Sequence, residues 1–179
     1  AISAADDSTP ALAYSQDVPA DLILLAEFCN TIKGHLEVED VFPLFASRIK
    51  RMLPFTACAF YLKDSHECLR TVYASGMFSE LIHGNVVNIG KGISGWVAAY
   101  KRPMINAEPA LDFIDTRGDL GSFSDALVVP IVHEDEALGT ISLYAREFEA
   151  FNQQQLNTLQ TIASLLAPLI SESAKFESP

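Results

Sequence analysis

The sequence predicts an α+β fold built on a mostly antiparallel sheet, from three observations. At both ends of the chain apolar residues step by 3 and 4, which is helical spacing. Between those ends the pattern changes to short runs rich in β-branched and aromatic residues. Two pairs of such runs are joined by short polar links, Asp64-Ser65-His66-Glu67 and His133-Glu134-Asp135-Glu136. Links that short join antiparallel neighbours, because a parallel connection needs a long crossover.

Residues 1–19 hold small residues and two prolines without periodicity, and are expected to be a tail or linker. Asp21 is placed to cap a helix over 21–34, whose apolar side is Leu22, Leu25, Cys29, Ile32 and Leu36; Gly34 ends it. A second helix over 39–53 carries Val41, Phe42, Phe45, Ile49 and Met52 and stops at Pro54. "FTACAFYLK" (55–63) and "CLRTVYASG" (68–76) form the first hairpin. A helical turn, "FSELIH", a short strand, "NVVNI", a short helix, "SGWVAAY", and a strand, "PMIN", follow. Residues 107–124 read as an irregular loop, long enough to be a lid. "DALVVPIV" and "ALGTISLYA" form the second hairpin, and Pro130 puts its strand at an edge or next to a bulge. The last helix covers 152–175, with one stripe of Leu156, Leu159, Ala163, Leu166 and Ile170 and another of Ile162, Leu165 and Leu169. Two stripes predict burial on more than one side. Pro168 predicts a kink or an early end, and 176–179 a second tail.

Composition narrows the function. A net charge of −11 with a pI near 4.6 opposes a nucleic-acid surface, which needs cations to displace counterions, and opposes docking on an anionic membrane. Three cysteines, Cys29, Cys58 and Cys68, with no paired spacing give neither a disulfide framework nor a zinc site, and fit a reducing cytoplasm. The N-terminus lacks a basic segment followed by an apolar one, so no signal peptide is expected. Residues 150–171 carry no charge, yet Asn152, Gln153, Gln154, Gln155, Asn157 and Gln160 rule against a membrane span.

Gly90-Lys91-Gly92-Ile93-Ser94-Gly95 spells G-x-G-x-x-G. A dinucleotide fingerprint needs a buried parallel strand, a full helix and a second strand over about 30 residues. Here Lys101-Arg102-Pro103 interrupts the helix after about two turns, and Asp112, near the place of a ribose-binding acid, falls inside the irregular loop. A structural reading accounts for the glycines better. Gly90 and Gly92 permit positive φ in a strand-to-helix turn, and Gly95 lets the helix backbone approach the sheet. The helix N-terminus around Ser94 then offers N–H groups to an anion or a polar ligand edge.

Those residues carry a resemblance. Gly92-Ile93-Ser94-Gly95-Trp96-Val97, Arg102-Pro103, Val129-Pro130-Ile131, Leu138-Gly139-Thr140-Ile141, the Ala74-Ser75-Gly76 strand end, and Phe151 leading into Leu156, Leu159 and Ile162 resemble the GAF domain pattern, in order and with matching gaps, over roughly 22–170. The resemblance implies a PAS-like central antiparallel sheet of five or six strands. Terminal helices would pack on one face, and a short helix and lid loop would cover a pocket on the other. It implies a single domain over 20–175 that acts as a cytoplasmic sensory module without catalysis of its own. Such a module controls an output domain, in cis or in trans, such as a kinase or a cyclic-nucleotide enzyme. The rival readings are a small redox reductase on the same fold and a pure dimerisation module with no ligand.

No cofactor is named by the residues. The Asn-Lys-Phe-Asp-Glu constellation of cyclic-nucleotide-binding members and a Cys-His pair for bilin attachment are both missing. Cys58 and Cys68 do not match the thiol pattern of the member that reduces free methionine sulfoxide. The expected pocket is lined by Tyr73, Phe78, Ile93, Ser94, Asn106, Phe113 and Thr140, with Arg117 of the lid placed to pair with a ligand anion. The expected ligand is a nucleotide or other small metabolite. A homodimer is expected through Leu22, Leu25, Cys29 and Ile32 against Leu156, Leu159, Ala163 and Leu166, because one sheet covers only one side of each helix. The alternative is that the two helices pack on each other within one chain.

Overall fold

The computed structural model describes residues 19–32, 37–114 and 120–176. All but the last residue of the expected tail over 1–19, the helix stop at Gly34, and residues 177–179 of the expected tail over 176–179 lie outside them. The chain runs α1 (Ala20–Ile32), α2 (Val38–Met52), β1 (Ala57–Lys63), β2 (Cys68–Gly76), α3 (Ser79–His83), β3 (Val86–Asn88), α4 (Gly92–Tyr100), β4 (Met104–Ala107), the 3-10 turn η1 (Pro109–Asp112), β5 (Asp125–His133), β6 (Glu136–Ala145) and α5 (Gln153–Phe176). Six antiparallel strands form one sheet in the order β3-β2-β1-β6-β5-β4. The expected α+β class and strand count match this sheet.

Strand alternation divides the sheet residues between two cores. Cys58 and Phe60 of β1, with Leu127, Val129 and Ile131 of β5 and Ile141 and Leu143 of β6, face α1, α2 and α5. Ala57, Ala59 and Tyr61, with Ala126, Val128 and Tyr144, face α4, Phe113, Leu120 and Phe123. On this second side three of the strand residues are alanines, which leaves depth for the two tyrosines and the side chains above them.

The helices form where their sequence permits. In α2 Val41, Phe42, Phe45, Ala46 and Ile49 are buried on one side, with Glu39 and Asp40 in the first turn and Lys50 and Arg51 in the last, each sign matched to the helix dipole. At the start of α5 the Asn152 amide donates to Gln155 Oε1 at 2.9 Å, and the Gln155 amide returns a bond to Asn152 Oδ1 at 2.9 Å. This reciprocal pair satisfies two amides that a helix start leaves without partners. Of the kink or early end expected at Pro168, the early end is absent: α5 continues to Phe176. Leu169 and Ile170, just beyond the proline, are buried in the first core, and that packing offsets the one missing N–H. Pro130 sits where β5 extends past the β4 ladder, which reaches only Val128, and a register shift follows at Ile131/Val132. Its missing donor therefore faces no partner strand.

The expected dimer seam is corrected by the packing within one chain. Leu22, Leu25, Cys29, Leu156, Leu159, Ala163 and Leu166 are all buried, and Ile32 partly so, within one core of a single chain. Helices α1 and α5 pack on each other, and α2 and the sheet close the remaining sides. These stripes need no second copy to cover them.

Candidate functional site

The glycine turn sets the site. Gly90 and Gly92 have φ of +83° and +59°, a conformation that costs a side-chain-bearing residue about 1–3 kcal/mol. The Gly90 amide donates to the Gly95 carbonyl at 2.8 Å, and the Lys91 amide to the Asn88 carbonyl at 3.0 Å, which folds β3 back onto α4. A Cβ at Gly95 would collide with the Asn88 carbonyl, so the expected close approach of helix to sheet is present. A Cβ at Gly92 would lie 2.7 Å from the Leu111 carbonyl and 2.8 Å from Asp112 Oδ1. The two glycine positions therefore admit two different neighbours, β3 and η1.

Asp112 ends η1 and is 3% exposed. Its Oδ1 accepts the Ile93 amide at 2.8 Å and the Ser94 amide at 2.9 Å. Its Oδ2 accepts Ser94 Oγ at 2.6 Å and the Tyr144 hydroxyl at 2.9 Å. The carboxylate thus caps α4 from another part of the chain. The sequence reading left this helix N-terminus open to an external anion; the structure corrects that, because Asp112 supplies the anion itself.

Two hydroxyl relays converge on Oδ2. The Ser94 and Tyr144 hydrogens are directed to Asp112. Ser142 Oγ, 2.9 Å from Ser94 Oγ, therefore donates to Ser94, and the Tyr61 hydroxyl, 3.1 Å from that of Tyr144, donates to Tyr144. Asn85 Nδ2 completes the second relay by donating to the Tyr61 hydroxyl at 3.2 Å, and it also donates to the Asp112 carbonyl at 2.8 Å. Burial pushes the Asp112 carboxyl up from the usual carboxylate range against the bonds from Ser94, Tyr144 and Ile93. Burial, then the Asp112 charge, raises both tyrosines, so both phenols stay neutral donors.

Aromatic rings close over this polar cluster. Phe113 lies 5.0 Å and Phe123 5.5 Å from the Tyr144 ring, and Phe78 meets Phe123 edge-on at 5.8 Å. Beside the cluster, between β3, the Lys91-Gly92 turn and η1, is a cleft of about 240 Å³ lined by Val86, Val87, Asn88, Lys91, Gly92, Leu111, Asp112 and Ile114.

The predicted lining residues divide accordingly. Phe78, Ile93, Ser94 and Phe113 do converge under α4, but as packing and capping and not as the walls of this cleft. Thr140 lies on the same face, fully buried, with Oγ1 unpartnered. Tyr73 is corrected to the helix side: the irregularity between Phe60 and Tyr61 pairs it with Phe60, and its ring lies 6.0 Å from Phe60. Asn106 is also corrected. Exposed and left-handed (φ +52°), it is placed to donate to Asp125 Oδ2 at 2.7 Å and the Phe151 carbonyl at 3.2 Å, tying β4 to the start of α5. Arg117 lies outside the described residues. The residues that sequence reasoning missed are Asp112, Tyr61, Tyr144, Ser142 and Asn85. The available signal was polar-tipped residues, Tyr61, Ser142 and Tyr144, on one side of otherwise apolar strands.

A family model described as GAF domain matches residues 35–171. The fold is similar to the GAF domain of an Acinetobacter phosphoenolpyruvate-protein phosphotransferase, at 13% identity and a TM-score of 0.75, covering 88% of this chain and 95% of that one. The corresponding domain from Coxiella burnetii is 19% identical with a TM-score of 0.70, covering 87% and 96%. A type II free methionine-R-sulfoxide reductase from Thermoplasma acidophilum is 19% identical with a TM-score of 0.62, covering 83% and 96%. At such identities the likeness shows the fold. No curated protein matches the chain. The reductase corrects one expectation: enzymes share this fold, so the expectation that the chain has no catalysis of its own no longer stands.

The thiols offer a direct check on that chemistry. Cys29 and Cys58 are buried, and burial raises the Cys58 thiol far above its ordinary value. Cys68 is partly exposed, with Sγ 3.1 Å from Oδ1 of Asn88, a cleft residue. Titration of the native protein with a disulfide reagent should modify Cys68 first and leave Cys58 unmodified until unfolding. Rapid reaction at Cys58 would contradict its burial. No helix among the described residues is long and apolar enough to cross a membrane.

Proposed function

Because this chain belongs to the GAF domain family, we propose that it is the regulatory input domain of a signalling protein, taking up a small molecule beneath α4 and η1 to control an output domain. One observation carries the reading. A polar cluster of Asp112, Ser94, Ser142, Tyr61 and Tyr144 sits in an otherwise apolar core, roofed by a single turn of 3-10 helix. A core built for stability alone is served better by apolar packing than by a buried carboxylate. Phe113 and Phe123 fill the space that a ligand needs, so uptake requires η1 and its flanks to move outward.

The dimer belongs to the same proposal, on a different surface from that expected. In a chain of net charge −11, two copies repel each other unless they meet through uncharged faces. The outer side of α5 offers Gln154, Asn157, Thr161 and Ser164, and neighbouring α1 leaves Ile23 and Leu24 about half exposed. A second copy packed there brings uncharged surfaces together. Native mass spectrometry tests both parts. The expected species is twice the 19.5 kDa chain, gaining mass with one member of a nucleotide and metabolite panel. That compound at 100 times its dissociation constant should stabilise the fold by about 2.7 kcal/mol. A monomer at tens of micromolar defeats the dimer, and no hit across the panel counts against ligand uptake.

A further inference from the structure

We propose that Asn106 and Asp125 form a clasp that carries a displacement of η1 across the rim of the sheet to the first turn of α5. The proposal deepens the regulatory reading above: it rests on η1 moving outward, but on no ligand. It starts from the strand that leads into η1. In a regular strand, residues two apart share one face. Here Ile105 packs against the core of the terminal helices and Ala107 against the core beneath α4. The change of face falls at Asn106, inside the irregularity between Met104 and Ala107, where the backbone is left-handed at φ +52°. Asn106 is thus the residue at which the chain crosses from one side of the sheet to the other. Only Ala107 and Glu108 separate it from η1.

At this rim polar bonds join what the sheet otherwise separates. Asp125 is the first residue of β5 and is buried. Its Oδ1 accepts the Ala126 amide at 2.8 Å, and its Oδ2 accepts the Ala150 amide at 2.7 Å and the Asn106 side-chain amide at 2.7 Å. The same Asn106 nitrogen reaches the Phe151 carbonyl at 3.2 Å. One carboxylate and one amide therefore tie the exit of β4 and the entry of β5 to the segment that precedes α5. Ala150 and Phe151 pack in the core of the terminal helices, and Asn152, next in sequence, opens α5 through its exchange of bonds with Gln155. A tie that only pinned this segment would be complete with Asp125 bonded to Ala126 and Ala150. The Asn106 bonds add a connection to η1. With its side chain held at both Asp125 and Phe151, a turn of the Asn106 backbone pulls on the entry of α5.

Gly92→Ala supplies the push without a ligand, because a Cβ there lies 2.7 Å from the Leu111 carbonyl of η1. Amide exchange at Ile93 and Ser94, both bonded to Asp112, reports whether η1 yields. The amide proton shift of Ala150 reports the clasp, since its bond to Asp125 draws that proton downfield. The expected result is severalfold faster exchange at Ile93 and Ser94 together with an upfield move of Ala150. Asn106→Gly removes the side-chain amide and suits the left-handed backbone. In that background Gly92→Ala should still speed Ile93 and Ser94 but leave Ala150 where Asn106→Gly alone puts it. Faster exchange with Ala150 unmoved, or an equal move in both backgrounds, overturns the clasp and leaves the uptake reading standing. Unchanged exchange at Ile93 and Ser94 means that η1 does not yield, which overturns both. Should Gly92→Ala not fold, Asn106→Asp reads the link from the other end. It sets a second carboxylate against Asp125, so exchange at Ile93 and Ser94 should rise severalfold, and an unchanged rate overturns the proposal.

Discussion

Gly92→Val should destabilise the domain by on the order of 3–5 kcal/mol in urea unfolding. Two causes add. At φ +59° a β-branched residue is strained by about 1–3 kcal/mol. Its Cβ would also press on the Leu111 carbonyl and on Asp112 Oδ1, so η1 must withdraw and the bonds at Asp112 weaken. Gly90 is the internal control. Its φ is +83°, yet a Cβ there would meet nothing within 4 Å, so Gly90→Ala carries strain alone, about 1–2 kcal/mol. Equal losses in the two variants would show that the contact between Gly92 and η1 adds nothing.

Asp112→Ala should cost about 3–5 kcal/mol, because it strands the Ile93 and Ser94 amides and the Ser94 and Tyr144 hydroxyls without their acceptor inside the core. Asp112→Asn should stay within about 1 kcal/mol of the native chain. Its carbonyl still accepts both amides, its NH2 takes the place of Oδ2, and the two hydroxyls turn to become acceptors. The burial cost of a charge also disappears. Calorimetric midpoints of the two variants side by side give the comparison. If both lose the same stability, the network depends on negative charge and not on acceptor geometry.

How much could be read from sequence depended on whether the cause was local. The 3-and-4 stepping of Leu156, Leu159, Ala163 and Leu166 identified α5, and the Gly90 and Gly92 spacing identified the turn before α4, since backbone conformation and apolar periodicity are properties of adjacent residues. Which side covers a stripe is not local. The same leucines suit a dimer seam or an intrachain core, and only the packing of α1 and α2 against α5 decides. Tyr73 went to the wrong face because one irregularity between Phe60 and Tyr61 changes the pairing, and nothing in the residues announces it. Asp112 was read as a loop acid because its partners are 18, 19 and 32 residues away in sequence. A capping residue is recognisable when it adjoins its helix, but not when it arrives from another part of the chain.

The strand order has a bearing on how copies of this chain behave in concentrated solution. The two rims of the sheet are its shortest members, β3 with three residues and β4 with four, and β4 is irregular between Met104 and Ala107. A long flat rim is a template onto which a neighbour's backbone can be stitched, and the growth of fibrils begins there. Here the ten-residue β6 is held inside the sheet, β2 outruns β3 beyond Arg70 where α3 packs against it, and where β5 outruns β4 it presents Pro130, which has no N–H to offer. Short rims and that proline leave little backbone on which strand-by-strand accretion could start.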